Sequence, residues 1–395
     1  MSAARTDARR AWLSVAAGFL STFVVFGVAY SFGPFFGPMA EEFGSGSGAT
    51  SAVFSITACL YFLLGAISGR MTDRFGPRPV LLVGAVALGV GLAATATVDE
   101  LWIGYVTYGL GVGIAVACGY VPMLAVVGAW FEEKRSLALG VTVAGVGVGT
   151  LTVAPLAGAL ISRIGWRSTY VVFAIGGAAL LLLAAGLVRR PAETGEQPQL
   201  PLGQAARTTA FASLYGSGLL LSLALFVPFV FLPPFAEARG VSKVAAAALV
   251  GVIGGTSVIG RLLLGAVGDR LGRIRTYQAC FFLVAASFPI WLVTDRYLWL
   301  VVFAVVLGFG YGGFIALNPA VVAELFGVRG LGGLIGALYT SAAIGALIGP
   351  PAAGFVIDRT GGYDPAIIGA FTLSALSFVA LLPLSRPEAA TPWDR

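Results

Sequence analysis

The chain has 395 residues, of which 58% are hydrophobic and only 11% charged, with a mean hydropathy of +0.93 and a formal net charge of +6. A soluble chain carries about a quarter charged residues, so the outer surface of this one faces something other than water. Soluble enzymes, nucleic-acid readers and disordered tails are excluded. The absence of His removes Ser-His and Cys-His nucleophiles. Cys59, Cys118 and Cys280 stand singly in apolar runs, which removes disulfide frameworks and thiolate zinc sites. They are read as packing residues, and no metal or cofactor is expected. The basic residues fall in short clusters between long apolar runs, which argues for a lipid bilayer and against nucleic acid as the partner.

A helix crosses the hydrocarbon layer in about 20 apolar residues. In chain order, uncharged runs of that size cover residues 11–40, 49–69, 79–98, 101–131, 136–162 and 168–188, then 208–236, 244–268, 276–294, 297–323, 330–357 and 365–385. These are twelve predicted spans. The first follows Arg5, Arg9 and Arg10 as a signal peptide would, but its run of about 30 residues exceeds a cleaved apolar region, so it is read as retained. With the N-terminus inside, the inner loops carry Arg70, Arg74, Arg78, Lys134, Arg135, Arg189, Arg190, Arg207, Arg270, Arg273, Arg275 and Arg329. The outer side carries only Arg163, Arg167, Arg239, Lys243, Arg296 and Arg359. The positive-inside rule therefore predicts a multi-pass protein of the inner (plasma) membrane with both termini cytoplasmic.

Two halves repeat. Gly69-Arg-Met-Thr-Asp73-Arg74-Phe-Gly76 follows span 2, and Gly265-Ala-Val-Gly-Asp269-Arg270-Leu-Gly272 follows span 8. The offset of 196 that relates Gly69 to Gly265 also relates Gly140 to Gly336, Gly149 to Gly345, Pro155 to Pro351, Gly158 to Gly354 and Gly165 to Gly361. The polar stretch between them holds Pro191, Pro198 and Pro201. The expected organisation is an N-terminal bundle (1–190), a cytoplasmic linker (191–207) and a C-terminal bundle (208–395). The fold class is all-α integral membrane, twelve transmembrane helices in two pseudo-symmetric six-helix bundles. Paired halves of this kind are built to rock about a site near the midplane.

The repeated Gly-x-x-x-Asp-Arg-x-Gly string resembles the signature loop of the major facilitator superfamily. Gly69 and Gly265 would permit close helix approach. Asp73, Arg74, Asp269 and Arg270 would form the switch loops that hold the cytoplasmic side closed and release it. A narrower resemblance rests on Phe131-Glu-Glu-Lys134-Arg135-Ser-Leu137-Ala138-Leu-Gly140 before span 5, on Tyr30-Ser31-Phe32-Gly33-Pro34-Phe35-Phe36 in span 1, and on Phe229 to Gly240 in span 7 with Gly260-Arg261-Leu-Leu-Leu-Gly265 in span 8. These strings are similar to those of the monocarboxylate transporter family and its oxalate/formate exchanger relatives, the present chain resembling a bacterial-type member. In that family the arginine of span 8 binds the substrate carboxylate, and the match falls on Arg261. Two features depart from the animal members of the family. Arg9-Arg10-Ala11-Trp12 replaces an acidic, Gly/Trp-rich string, and Ser257 stands where an Asp precedes the arginine by four residues.

Chemistry points the same way. Arg261 is the only charged side chain at membrane depth, and such a residue costs several kcal/mol unless it faces a cavity or a partner. It is read as an anion site, with snorkelling to the inner headgroups as the competing reading. One cation suits one carboxylate, whereas a dicarboxylate such as oxalate would call for two; the oxalate exchangers that the chain resembles carry a Lys in span 11, and residues 330–357 here contain none. Tyr120, Tyr311, Asn318 and Tyr339 are polar groups inside their spans, and Tyr30 and Phe35 shape the pocket from span 1. Pro319 is expected to kink span 10. No His and no mid-membrane carboxylate is available to titrate, so a coupled proton rides on the substrate or uses Glu237 at the outer end of span 7.

The expected function is secondary active transport of a small monocarboxylate of the lactate/pyruvate type by alternating access, and the family resemblance implies symport with a proton. The alternative is an organic-anion exchanger or uniporter. A drug exporter of the superfamily would carry Arg before the Gly-rich stretch of span 4, where Tyr105 stands before Gly109-Leu-Gly111-Val-Gly113. A non-transporting receptor would need a signalling domain. An enzyme would need a His/carboxylate constellation. One chain supplies a complete path, so a monomer is expected.

Overall fold

The computed structural model describes residues 2–131, 135–189, 202–293, 296–326 and 331–385, without the side chains of 2–8, 66, 73, 135–137, 202–203, 269, 331–333 and 385. Span 1 is two helices, α1 (Ser2–Tyr30) and α2 (Phe32–Phe43), and spans 2 and 3 are α3 (Ser47–Phe75) and α4 (Pro77–Thr95). Span 4 is again split, into α5 (Leu101–Gly119) and α6 (Val121–Trp130). α7 (Arg135–Leu187) carries spans 5 and 6, which turn at Gly165 (φ 79°, ψ 165°). A short α8 (Leu202–Ala205) lies in the stretch expected to be linker, whose residues 191–201 fall outside the described residues. Span 7 is α9 (Thr209–Leu225) with α10 (Val227–Glu237). Spans 8 to 12 are α11 (Lys243–Leu271), α12 (Arg273–Leu292), α13 (Tyr297–Phe326), α14 (Leu331–Thr360) and α15 (Asp364–Leu381). Twelve membrane helices in two six-helix bundles result, with no strand among the described residues.

The repeat is written into the backbone. Among the described residues, positive φ occurs only at Gly44, Gly76, Gly165, Gly240, Gly272 and Gly361. These six form three pairs at the offset of 196: Gly44 with Gly240, Gly76 with Gly272, and Gly165 with Gly361. Left-handed backbone is open to Gly at little cost, so each pair marks the same turn built twice.

Spans 1, 4 and 7 are broken at Ser31, Tyr120 and Phe226. Pro122 and Pro228 stand in the first two positions of α6 and α10, and Pro34 just inside α2. A proline has no N–H to continue the ladder and crowds the residue before it. Hydroxyls collect carbonyls around the breaks: Ser21 donates to Gly119 O at 2.8 Å, and Ser31 to Val28 O at 2.8 Å. α13, in contrast, runs through Pro319 without such a break.

The halves meet away from the face on which α1 starts and α15 ends. On that opposite face Gly354 of α14 lies against Gly48 of α3, where an added methyl would fall 2.5 Å from the Gly48 nitrogen. Its repeat mate Gly158 of α7 lies against the Lys243 carbonyl of α11, 3.1 Å from where a methyl would sit. Asp358 of α14 closes the first seam. Its carboxylate accepts from the N–H groups of Ser47 (2.9 Å) and Gly48 (3.2 Å) at the start of α3. On the face bearing the termini, methyls at Gly140, Gly265 and Gly336 would meet nothing within 4 Å. Among the described residues the halves are therefore sealed on one face, and these three glycines make no contact across the other.

Candidate functional site

Arg261 lies well inside α11 and is 9% exposed, the only charged residue among the buried ones described. It reaches the other half because glycines bring α7 and α11 close together. A methyl on Gly147 of α7 would fall 2.5 Å from the Gly254 carbonyl of α11 and would strike Val258. That approach lets Arg261 Nη1 donate to the Val143 carbonyl of α7 at 2.7 Å. Its Nε and Nη2 are buried and donate to nothing among the described residues. Ser257, one turn earlier on α11, donates to its own helix at Gly254 O (2.7 Å) and leaves the guanidinium alone.

The cavity between the halves is lined by Arg261, Tyr30, Tyr120, Tyr311, Asn318 and Tyr339. These are six of the seven residues that the sequence proposes for it, Phe35 being the exception. The helix breaks explain part of the convergence: Tyr30 ends α1, and Tyr120 and Phe226 are themselves break residues, all three on the wall. The Tyr30 and Tyr311 hydroxyls hydrogen-bond across the halves at 3.0 Å. Phe229 of α10 packs on the Tyr30 ring at 4.5 Å between centroids. The remaining wall is largely aromatic and aliphatic, and sequence reasoning missed Phe26, Tyr61, Phe62 and Tyr277 there. No signal distinguishes an aromatic facing a cavity from one in a packed core until helix rotation is known. Arg261 is the only charged lining residue, and no carboxylate lines the cavity among the described residues.

Other expected residues lie elsewhere. Phe35 is buried in the N-terminal half and stacks on Tyr170 (4.0 Å, 4° between planes), so it does not shape the pocket. Five residues past Tyr30, beyond the Ser31 break, it faces another direction. Glu237 ends α10, outside the cavity wall. Gly69 and Gly265 make no close approach to the other half in this conformation. Arg74 and Arg270 are exposed near the ends of α3 and α11, Arg74 over the Phe75 ring at 5.1 Å. The side chains of Asp73 and Asp269, and the whole of Lys134, lie outside the described residues.

The family model of the Major Facilitator Superfamily matches residues 18–294 and 214–395. Monocarboxylate transporter 3 of Rattus norvegicus is 31% identical over 371 residues, covering 89% of this chain and 75% of its own. Monocarboxylate transporter 4 of the same species is 29% identical over 94% of this chain and 84% of its own. An MFS-type transporter 1 of Ophiocordyceps is 30% identical over 96% and 87% respectively. A bacterial homologue of the human lysosomal transporter Spinster, crystallised inward-facing and occupied, shares the fold with a TM-score of 0.74 at 14% identity, covering 98% of both chains. Its unoccupied inward-facing form gives 0.72 at 16% identity over 96% of this chain and 95% of that one. The chain is thus a multi-pass membrane transporter and not an enzyme, and it belongs to the monocarboxylate transporter family of the major facilitator superfamily.

Proposed function

We propose that this protein carries a small monocarboxylate of the lactate/pyruvate class across the cell membrane by alternating access, in symport with a proton. The observation that carries this reading is the guanidinium of Arg261, buried at the cavity with Nε and Nη2 unpaired. Two parallel N–H groups match the two oxygens of one carboxylate. A single cation in an otherwise uncharged wall suits one negative charge on a small, partly apolar body. The names of the relatives support the same class.

The proton enters on the substrate. Protonating a bound carboxylate removes the charge that Arg261 holds, so proton arrival and release of the acid are linked. The face bearing the termini is the cytoplasmic one, and the structure is the inward-open state of the cycle. The absence of a lining carboxylate among the described residues favours one second reading, anion exchange, in which no proton is carried.

Proteoliposomes decide between them. An inward proton gradient should drive labelled lactate uptake without internal substrate. Uptake that ignores the gradient and needs internal anion would establish exchange instead. Absence of lactate movement in either mode would remove the substrate class.

A further inference from the structure

Tyr61 belongs to α3, in the half opposite Arg261, and lines the same cavity. Its side chain is 4% exposed, and its hydroxyl is buried without a hydrogen-bond partner, as are Nε and Nη2 of Arg261. Ser55 and Trp291 also carry buried, unpartnered polar atoms, but neither lines the cavity. The Tyr61 ring is fixed by Phe26, edge to face at 5.8 Å, and by Phe62 at 4.5 Å. Packing against these two rings positions its hydroxyl.

On the same wall Tyr30 and Tyr311 hydrogen-bond to each other at 3.0 Å. Phe26 packs on both the Tyr30 ring (5.3 Å) and the Tyr61 ring (5.8 Å), which sets Tyr61 beside that pair. The cavity thus carries unpaired polar atoms at Arg261 and at Tyr61, one in each half. Such an arrangement fits a ligand with a carboxylate at one end and a further polar atom along its chain.

We propose that Tyr61 is a second recognition point for the carboxylate assigned above, hydrogen-bonding a hydroxyl or keto oxygen carried beyond the carboxyl group. It thereby selects short hydroxy- and oxo-acids over unsubstituted acids. The inference rests on the carboxylate reading of Arg261. A tyrosine hydroxyl both donates and accepts, so either oxygen type satisfies it. An unsubstituted acid leaves it buried and unpaired, which is the arrangement that discriminates most strongly against a ligand lacking the group.

The test is calorimetric binding of lactate, 3-hydroxypropionate and propionate to the purified full chain and to Tyr61→Phe. The wild type should prefer at least one hydroxy acid over propionate by about tenfold or more. Tyr61→Phe should bind propionate as the wild type does and lose that preference. Its ligand-free melting temperature should not fall, because the oxygen removed has no partner. A preference that survives in Tyr61→Phe, or is absent in a wild type that binds propionate, overturns the inference. So does a variant that fails to fold, since the hydroxyl then serves the protein itself. If the wild type binds none of the three acids, or Arg261→Met binds all three unchanged, the parent reading fails, and this one with it.

Discussion

Arg261 of α11 donates from Nη1 to the backbone carbonyl of Val143 in α7, 2.7 Å away in the opposite half of the molecule. One N–H group of a buried guanidinium is thus spent on holding the halves together, while Nε and Nη2 stay idle. A buried cation that is only partly hydrogen-bonded is costly. The ligand-free cavity is therefore an incomplete electrostatic arrangement, which an anion completes.

The contact depends on Gly147. Gly147→Ala places a methyl against Val258 and 2.5 Å from the Gly254 carbonyl, and a backbone cannot give way as a side chain tip can. Overpacking of this kind costs about 1–3 kcal/mol. Thermal unfolding in detergent should show a lowered melting temperature, and lactate affinity should fall with it as Arg261 is drawn off Val143.

Tyr30 and Tyr311 tie the halves at the cavity itself through their 3.0 Å hydroxyl contact. Tyr30→Phe and Tyr311→Phe should be non-additive. A double-mutant cycle on thermal stability should return a coupling of about 0.5–1.5 kcal/mol, the net worth of one buried hydrogen bond. Strict additivity would mean that the bond contributes nothing to this conformation.

Asp358 acts as a helix cap supplied from the other half. α3 has Gly46 at its N-cap and no capping side chain of its own, and Asp358 takes the N–H groups of Ser47 and Gly48 instead. The repeat mate of Gly46 is Ser242, which caps α11 from within by accepting from Ala245 N. Losing a cap costs about 1 kcal/mol, roughly a fivefold population shift. Asp358→Ala should therefore favour opening of this face, read as increased labelling of cysteines placed along the α3–α14 seam. Adding Gly46→Ser should restore helix stability without restoring closure, because the new cap no longer bridges the halves.

Glu237 lies outside the cavity wall. Glu237→Gln should keep gradient-driven lactate uptake. Uptake that becomes indifferent to the gradient in this variant would move the proton from the substrate to this carboxyl.

Much of this site is legible in the sequence because charge is scarce. Arg261 stands out as the one cation in an apolar span, and the offset of 196 reveals the duplication before any coordinate does. The pairing of Gly44 with Gly240 becomes visible only through their shared positive φ, since a loop glycine has no apolar context to mark it. Tyr61 and Phe35 show the limit. Which aromatic faces the cavity depends on helix rotation, and the breaks at Ser31, Tyr120 and Phe226 reset that rotation within single spans. Prolines also mislead when read alone. Pro122 and Pro228 begin new helices, whereas α13 accommodates Pro319.

The most direct test of the central claim is lactate binding to purified wild type and to Arg261→Met, which keeps an unbranched side chain of useful bulk and removes the charge. Losing a charge-assisted pair should cost about 1.5–3 kcal/mol, a drop in affinity of roughly 10- to 150-fold. The melting temperature of the ligand-free variant should hold or rise, because an underpaired buried charge is gone. Lactate affinity equal to that of the wild type in a folded Arg261→Met would contradict the account.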